Sequence, residues 1–141
     1  MPPDATVDDR AMALLARSPY GRLSVSMGAL PSVTVARHIV TDDEVVLRMH
    51  RGHGYHRACD GHVVAYGVDT VDAGEDEFWS VQCVGTARVG IPGPAELERF
   101  GAAPRTADGA PFEPVYLRVR PRFMTVHHIA GVPNRQPGQP G

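Results

Sequence analysis

Apolar and polar residues alternate along much of the chain, with the period of a β-strand that buries one face. The alternation is clearest in Leu23–Met27, and apolar residues dominate Val33–Val40 and Val45–His50. Turn-forming residues separate these segments at Gly28–Pro31 and Thr41–Asp43. Because short turns join successive strands, we predict an antiparallel meander.

The second half of the chain continues this pattern with four more predicted strands. They cover His62–Val68, Trp79–Val89, Val115–Arg120 and Phe123–Ile129, and Gly85 marks a predicted bulge in the longest of them. Six or seven strands joined in this way favour a small closed or split antiparallel barrel.

Short helices interrupt the strands. Thr6 and Asp9 have the spacing of a capping box ahead of an apolar stripe, so the chain begins with a short helix that ends before Pro19. Further short helices are predicted over Tyr55–Cys59 and Pro94–Phe100. The predicted fold class is therefore mainly β, with two or three short helices.

The length and composition fit one cytoplasmic domain. The chain has 141 residues, of which 43% are hydrophobic, and its formal net charge of -2 excludes a globally basic nucleic-acid-binding protein. No apolar run reaches the length of a membrane span, and the first residues are acidic where a signal peptide would be basic. We expect a single domain over residues 1–130, followed by a flexible tail over residues 131–141 that lacks apolar periodicity.

Reactive side chains form no recognisable catalytic motif. Cys59 and Cys83 are separated by 24 positions without a CxxC pair, so we interpret them as small buried apolar residues. All 14 basic residues are arginine, which excludes Schiff-base chemistry by lysine. We therefore predict no catalytic residue, and any enzymatic chemistry would come from a bound cofactor.

Arginine and histidine residues are most concentrated in the segment Arg48–Arg57, where they make up six of ten residues. Guanidinium groups and the N–H groups of a helix N-terminus can converge on a phosphate, and a solvated polar loop is the alternative. His50, His53 and His56 recur at every third residue. This spacing outside a helix, without carboxylate partners nearby, argues against a metal site, so none is predicted.

Two polar residues, Arg37 and His38, lie within an otherwise apolar predicted strand. One of them must face inward and needs a hydrogen-bond partner, unless the strand lies at an edge and Arg37 extends to solvent. Trp79 is the only tryptophan and opens a predicted strand, a position usual for core packing.

The chain contains, in order, the motifs SPYGRLSV, PSVTVAR, DEVVLRMH, VVAYGVD and FWSVQCVGTARV. This order, over residues 8–130, resembles the pyridoxamine 5'-phosphate oxidase-like family of FMN-binding split barrels, and in particular its small actinobacterial-type members. The most specific part of the resemblance is Val68–Ala87. The resemblance implies a six-stranded antiparallel split β-barrel, a homodimer, and FMN bound in clefts at the dimer interface.

The resemblance also implies which residues contact the cofactor. Arg37 falls where the family has a strand arginine near the flavin phosphate and ring edge, and His53 would help to hold the phosphate. Trp79 and Ser80 fall beside the isoalloxazine ring, while His50 would hydrogen-bond to the flavin or the substrate.

The phosphate-binding loop departs from the family pattern. Met49 stands where threonine is common, and Gly54 or Tyr55 stands where lysine or arginine is expected. Arg51 and Arg57 are the neighbouring residues that would compensate, so both are predicted to bind the cofactor.

The function implied by the resemblance is that of an FMN-binding oxidoreductase acting on an unidentified small-molecule substrate. The alternatives are a deazaflavin (coenzyme F-420)-dependent reductase, or a non-enzymatic barrel that binds haem, another small molecule or no cofactor. Oxidation of pyridoxamine phosphate itself is not expected, because the C-terminal segment lacks the Trp- and Arg-rich substrate motif of that activity.

Overall fold

The computed structural model of the protein describes residues 3–71 and 76–131. This part of the chain contains six longer strands, two strands of two residues, three helices and one 3-10 turn. The strands are β1 (Tyr20–Met27), β2 (Leu30–Thr41), β3 (Glu44–His50), β4 (Val63–Val71), β5 (Glu77–Val89), β6 (Thr106–Ala107), β7 (Ala110–Pro111) and β8 (Pro114–Ala130). The helices are α1 (Pro3–Ala16), α2 (Tyr55–Cys59) and α3 (Pro94–Phe100), and the 3-10 turn covers Arg51–His53.

The six longer strands close into a barrel in the order β1-β2-β3-β8-β5-β4, with β4 pairing back to β1. Every neighbouring pair is antiparallel. Sequence neighbours form three of these pairs, whereas β3–β8, β5–β8 and β1–β4 join distant segments. The prediction of a mainly β, six-stranded antiparallel barrel with short helices is confirmed.

The last strand corrects one sequence prediction. The sequence predicts separate strands over Val115–Arg120 and Phe123–Ile129, but β8 is continuous and pairs with β5 on both sides of Pro121. The register shifts between Val84 and Gly85, which confirms the bulge predicted at Gly85. Because proline lacks an N–H group, a bulge is a position where it does not interrupt the hydrogen-bond ladder.

Helices α2 and α3 have the predicted bounds, and α1 includes the predicted first helix. Within residues 3–71 and 76–131, none of the helices is long and apolar enough to cross a membrane. The predicted tail lies outside the described residues, apart from Gly131.

The barrel interior is filled by apolar side chains from one face of each longer strand, including the fully buried Leu23 and Leu47. Leu15 of α1 joins the same core, so this helix packs against the barrel. Cys59 and Cys83 are both buried, as the sequence predicts. Burial raises the pKa of Cys59 to about 11, which keeps its thiol protonated at neutral pH.

A polar pair is buried within this core. His38 is 2% exposed, and its Nε2 donates a hydrogen bond to the Leu15 carbonyl at 2.7 Å. Its Nδ1 is hydrogen-bonded to the Tyr66 hydroxyl, which also lies 3.0 Å from the Ala36 carbonyl oxygen. His38 is therefore the inward-facing member of the polar pair in β2, and Arg37 is on the opposite face.

The free energy of unfolding is expected to fall as the pH is lowered from about 7.5 to 5.5. Burial lowers the pKa of His38 from its ordinary value of 6.5, with a further contribution from Arg37, and burial likewise lowers the pKa of His56. The unfolded chain takes up these protons at a pH where the folded protein keeps both imidazoles neutral, so acid favours unfolding. Urea denaturation at the two pH values measures the effect. The dependence should become shallower in His38→Gln, and an unchanged dependence would contradict a neutral His38 in the core.

Candidate functional site

A cavity of about 200 Å³ lies where β2 and β3 meet the segment 104–112, and we refer to it as the β2–β3 cavity. Basic side chains line it together with aromatic rings. The basic residues are Arg37, Arg48, His50 and His53, and the aromatic residues are Tyr20, Tyr55 and Phe112. Of the predicted cofactor-binding residues, the fold therefore brings Arg37, His50 and His53 to one place.

The strand register puts two arginines side by side. Arg37 and Arg48 are direct partners across β2 and β3. Both guanidinium carbons lie within cation–π range of the Phe100 ring, at 5.5 and 5.2 Å from its centroid. Phe100 ends α3 and packs with Ile39 and Val46 in a small apolar cluster on the outside of the barrel. The docking of α3 thus fixes the surroundings of both guanidinium groups.

The hydrogen-bond acceptors of both arginines are backbone carbonyl groups, which carry no net charge. The acceptors of Arg48 are Gly101 and Ala102 at 3.0 and 3.3 Å, and those of Arg37 are Pro19 and Arg99 at 3.4 and 3.2 Å and His38. In the described part of the chain, neither guanidinium group forms a salt bridge. Arg48 is only 7% exposed, so a positive charge is buried here without a carboxylate partner.

His50 and His53 contact each other in the cavity wall, with their ring centroids 4.9 Å apart in a T-shaped arrangement. Nδ1 of His50 accepts a hydrogen bond from the backbone N–H of Glu113 at 3.0 Å, so the neutral ring carries its proton on Nε2. His53 Nε2 lies 2.8 Å from a carboxylate oxygen of the exposed Asp108. Each histidine therefore has one ring nitrogen committed to the protein.

The third histidine of the sequence repeat does not join them. His56 is buried on α2, and its Nδ1 has no hydrogen-bond partner among the described residues. Among the residues with described positions, no group of three or more His, Cys, Asp or Glu side chains could hold a metal ion.

Three of the other predicted residues lie away from the cavity lining. Arg51 and Arg57 are exposed and are not part of the lining. Trp79 stacks on His128 with centroids 4.1 Å apart, and the Arg10 guanidinium lies 4.0 Å from its ring. A contact between these three residues and a cofactor remains a prediction.

Ser80 lines a separate depression of about 190 Å³ formed with residues of β1, β2 and β4. Val33 of β2 lines this depression, and Val35, two residues further along, lines the β2–β3 cavity. Residues two apart in a strand share one face. The Ser80 depression and the β2–β3 cavity are therefore neighbours on the outer surface of the sheet.

Arg48 was not among the predicted cofactor-binding residues, and neither were the aromatic residues of the wall. One local signal exists, because Arg48 interrupts the apolar run Val45–Met49 as Arg37 interrupts β2. Its pairing with Arg37 depends on the β2–β3 register, and its burial depends on Phe100, which lies 52 positions further along the chain.

A larger cavity, of about 770 Å³, is lined in part by Glu44, Glu96 and Arg118, whose charges satisfy one another. Arg118 binds Glu44 at 3.3 Å and makes a second salt bridge to Glu96. The Arg118 guanidinium and the Gly93 N–H hold the pKa of the Glu96 carboxyl below its usual value. In the described part of the chain, Arg37 and Arg48 have no carboxylate partner that would balance their charges in this way.

Comparison with known proteins supplies independent information. The sequence model of the family described as pyridoxamine 5'-phosphate oxidase matches residues 7–128. Among solved structures, an FAD-binding protein from Mycobacterium smegmatis has 21% identity and a TM-score of 0.69, with 86% of this chain and 95% of that chain covered. An FAD-binding protein from Mesorhizobium loti has 19% identity and a TM-score of 0.63, with 86% and 94% covered. An FAD- and haem-binding protein from Mycobacterium smegmatis has 18% identity and a TM-score of 0.67, with 91% and 74% covered. No curated protein matches the chain.

Proposed function

Because the chain belongs to the pyridoxamine 5'-phosphate oxidase family, which it matches over residues 7–128, we propose that it binds a flavin nucleotide in the β2–β3 cavity. The observation that carries the proposal is the pairing of Arg37 with a buried Arg48, which forms no salt bridge to any described residue, in a cavity that also has aromatic walls. A flavin nucleotide is chemically matched to such a cavity, since it has a flat aromatic ring at one end and a phosphate at the other.

The lining residues fit the two ends of the ligand separately. Guanidinium groups bind phosphate oxygens through two parallel hydrogen bonds, which suits Arg37 and Arg48. Tyr20 and Phe112 offer ring faces and edges to an aromatic ligand. When it is neutral, His50 has an Nε2–H donor available for a polar edge of the flavin or for a substrate.

The size of the cavity favours a site shared between two copies of the chain. Its volume of about 200 Å³ is below the roughly 300–1,000 Å³ of most ligand pockets. The neighbouring outer face of β2 carries two exposed apolar side chains, Val33 and Val35, which are exposed by 59% and 63%. We therefore propose a homodimer in which a second copy covers this face, including both the cavity and the depression that contains Ser80.

The bound flavin would supply redox chemistry, and FMN is the proposed cofactor. The chain itself would contribute binding, orientation and electrostatics, because the described cavity has cationic, aromatic and imidazole groups but no activated nucleophile. We propose a flavin-dependent oxidoreductase acting on a small molecule. FAD, which relatives from two bacterial species bind by their descriptions, is the second flavin to test.

Arg37→Ala is expected to weaken FMN binding by roughly 10- to 150-fold and to leave riboflavin binding nearly unchanged, because riboflavin lacks the phosphate. Titration of flavin fluorescence with ligand-free protein measures both affinities. Arg88→Ala, which removes an exposed guanidinium group on β5, is the matched control and should change neither. Equal losses for FMN and riboflavin would place Arg37 outside the phosphate contact.

A further inference from the structure

Residues 103–112 form a hairpin outside the barrel sheet, and we refer to this segment as the lid. In the described part of the chain, β6 and β7 pair only with each other, as a sheet separate from the closed barrel. Each strand has two residues, and Pro111 brings no N–H group to their pairing. An isolated two-stranded hairpin is marginally stable in water, so the lid depends on contacts with the rest of the chain.

The chain is fixed to the barrel on either side of the lid. Before the lid, the carbonyl groups of Gly101 and Ala102 accept hydrogen bonds from the buried Arg48. After the lid, the Glu113 carbonyl accepts a hydrogen bond from the Arg51 N–H at 2.7 Å. These contacts define two hinge points, and the residues between them can move while both contacts are kept.

A single exposed pair holds the far end of the lid. Asp108 lies in the turn between β6 and β7, and a carboxylate oxygen lies 2.8 Å from Nε2 of His53. The two side chains are 84% and 41% exposed, and water competes for pairs as exposed as this one. Among the described residues, no other salt bridge joins the lid to the barrel, and no residue of the lid is buried. The segment therefore has few contacts that resist local opening.

The lid forms one wall of the β2–β3 cavity. Four of its residues line the cavity, namely Pro104, Thr106, Ala107 and Phe112. With the lid in place the cavity has a volume of about 200 Å³, so movement of this wall would widen the space and its entrance. This wall is separate from the outer face of β2, which the proposed second copy covers.

We propose that residues 103–112 are a hinged lid over the β2–β3 cavity, and that the His53–Asp108 pair sets the rates at which a ligand enters and leaves. The identity of the ligand rests on the proposed function, whereas the motion of the lid is a property of the ligand-free chain. Asp108 and Gly109 have φ values of 53° and 82°, the left-handed geometry of a tight hairpin turn. Aspartate tolerates this geometry better than most residues, so one residue both forms the turn and reaches His53.

Hydrogen exchange of the flavin-free protein, followed by NMR at the Phe112 N–H, tests the lid. This N–H donates to the Arg105 carbonyl at 3.0 Å, and a hairpin released from the barrel would not keep this bond. Its exchange rate therefore reports the open population. Asp108→Asn removes the charge but keeps a side chain that tolerates positive φ. We expect exchange at Phe112 to become roughly 2- to 5-fold faster, while exchange in the centre of β3 stays unchanged.

Asp43→Asn is the matched control, because Asp43 is also an exposed aspartate in a turn between two strands and does not line the cavity. It should leave exchange at Phe112 unchanged. His53→Ala should have an effect similar to that of Asp108→Asn, and the double variant should exchange no faster than either single variant, because the two side chains form one contact. Native exchange at Phe112 in both single variants, or independent effects that multiply in the double variant, would overturn the proposal.

Stopped-flow mixing with FMN separates the lid from the proposed function. Asp108→Asn should raise the association and dissociation rate constants by the same factor, roughly 2- to 5-fold, and leave the dissociation constant nearly unchanged. Faster exchange at Phe112 in a protein that binds no flavin would support the lid and contradict the proposed function. FMN binding with rate constants that Asp108→Asn does not alter would support the function and contradict the role of the lid.

Discussion

Gly85→Ala is expected to lower the free energy of unfolding by about 3 kcal/mol or more, because the added methyl group has no space at the β5–β8 bulge. A Cβ atom at this position would lie 2.0 Å from the carbonyl oxygen of Arg120 and 3.0 Å from the Cα of Pro121. Both neighbours are backbone atoms of the paired strand, so relief requires the strands to separate.

Gly90→Ala is the matched control for this substitution. The nearest atom to a Cβ at Gly90 is in the Arg118 side chain at 3.5 Å, an ordinary contact distance. Urea denaturation of the two variants beside the native chain measures the difference. Similar stability losses at Gly85 and Gly90 would show that the bulge is not closely packed.

Val35→Asp is expected to convert the proposed dimer to monomers, with a dissociation constant raised roughly 100-fold or more, because an unpaired carboxylate would be buried at the interface. Val35 is 63% exposed in the protomer and also lines the β2–β3 cavity. Loss of the second copy should therefore weaken the binding of FMN and riboflavin alike. Light scattering and flavin titration on the same samples give both results.

Ile91→Asp provides the control for added charge, since Ile91 is 93% exposed on the segment between β5 and α3. It should remain dimeric and bind flavin as the native chain does. A dimer that survives Val35→Asp unchanged would place the interface on another face of the barrel.

Much of the barrel could be predicted from the sequence because alternation is a local property. The segments that became β1, β2 and β3 are alternating or predominantly apolar stretches separated by turn residues, and Gly85 marked the bulge. The prediction of two separate strands in place of β8 was wrong because proline interrupts a strand in most settings. Here Pro121 lies within β8, at the irregular pairing with β5.

The candidate site was harder to predict because its residues meet through non-local contacts. Arg37, His50 and His53 could be identified from the resemblance. Arg48 could not, since its importance depends on strand register and on the packing of Phe100. Trp79 is an aromatic residue of the kind expected beside a flavin ring, but within one chain it stacks on His128. This contact joins β5 and β8, so no local sequence pattern reveals it.

We propose that the β2–β3 cavity holds a flavin through its phosphate. Equilibrium dialysis of the flavin-free protein against FMN, with riboflavin in parallel, tests it most directly. We predict that FMN is retained at one equivalent per protomer and that riboflavin is retained roughly 10-fold or more weakly. Equal FMN concentrations on both sides of the membrane at every protein concentration would contradict the account.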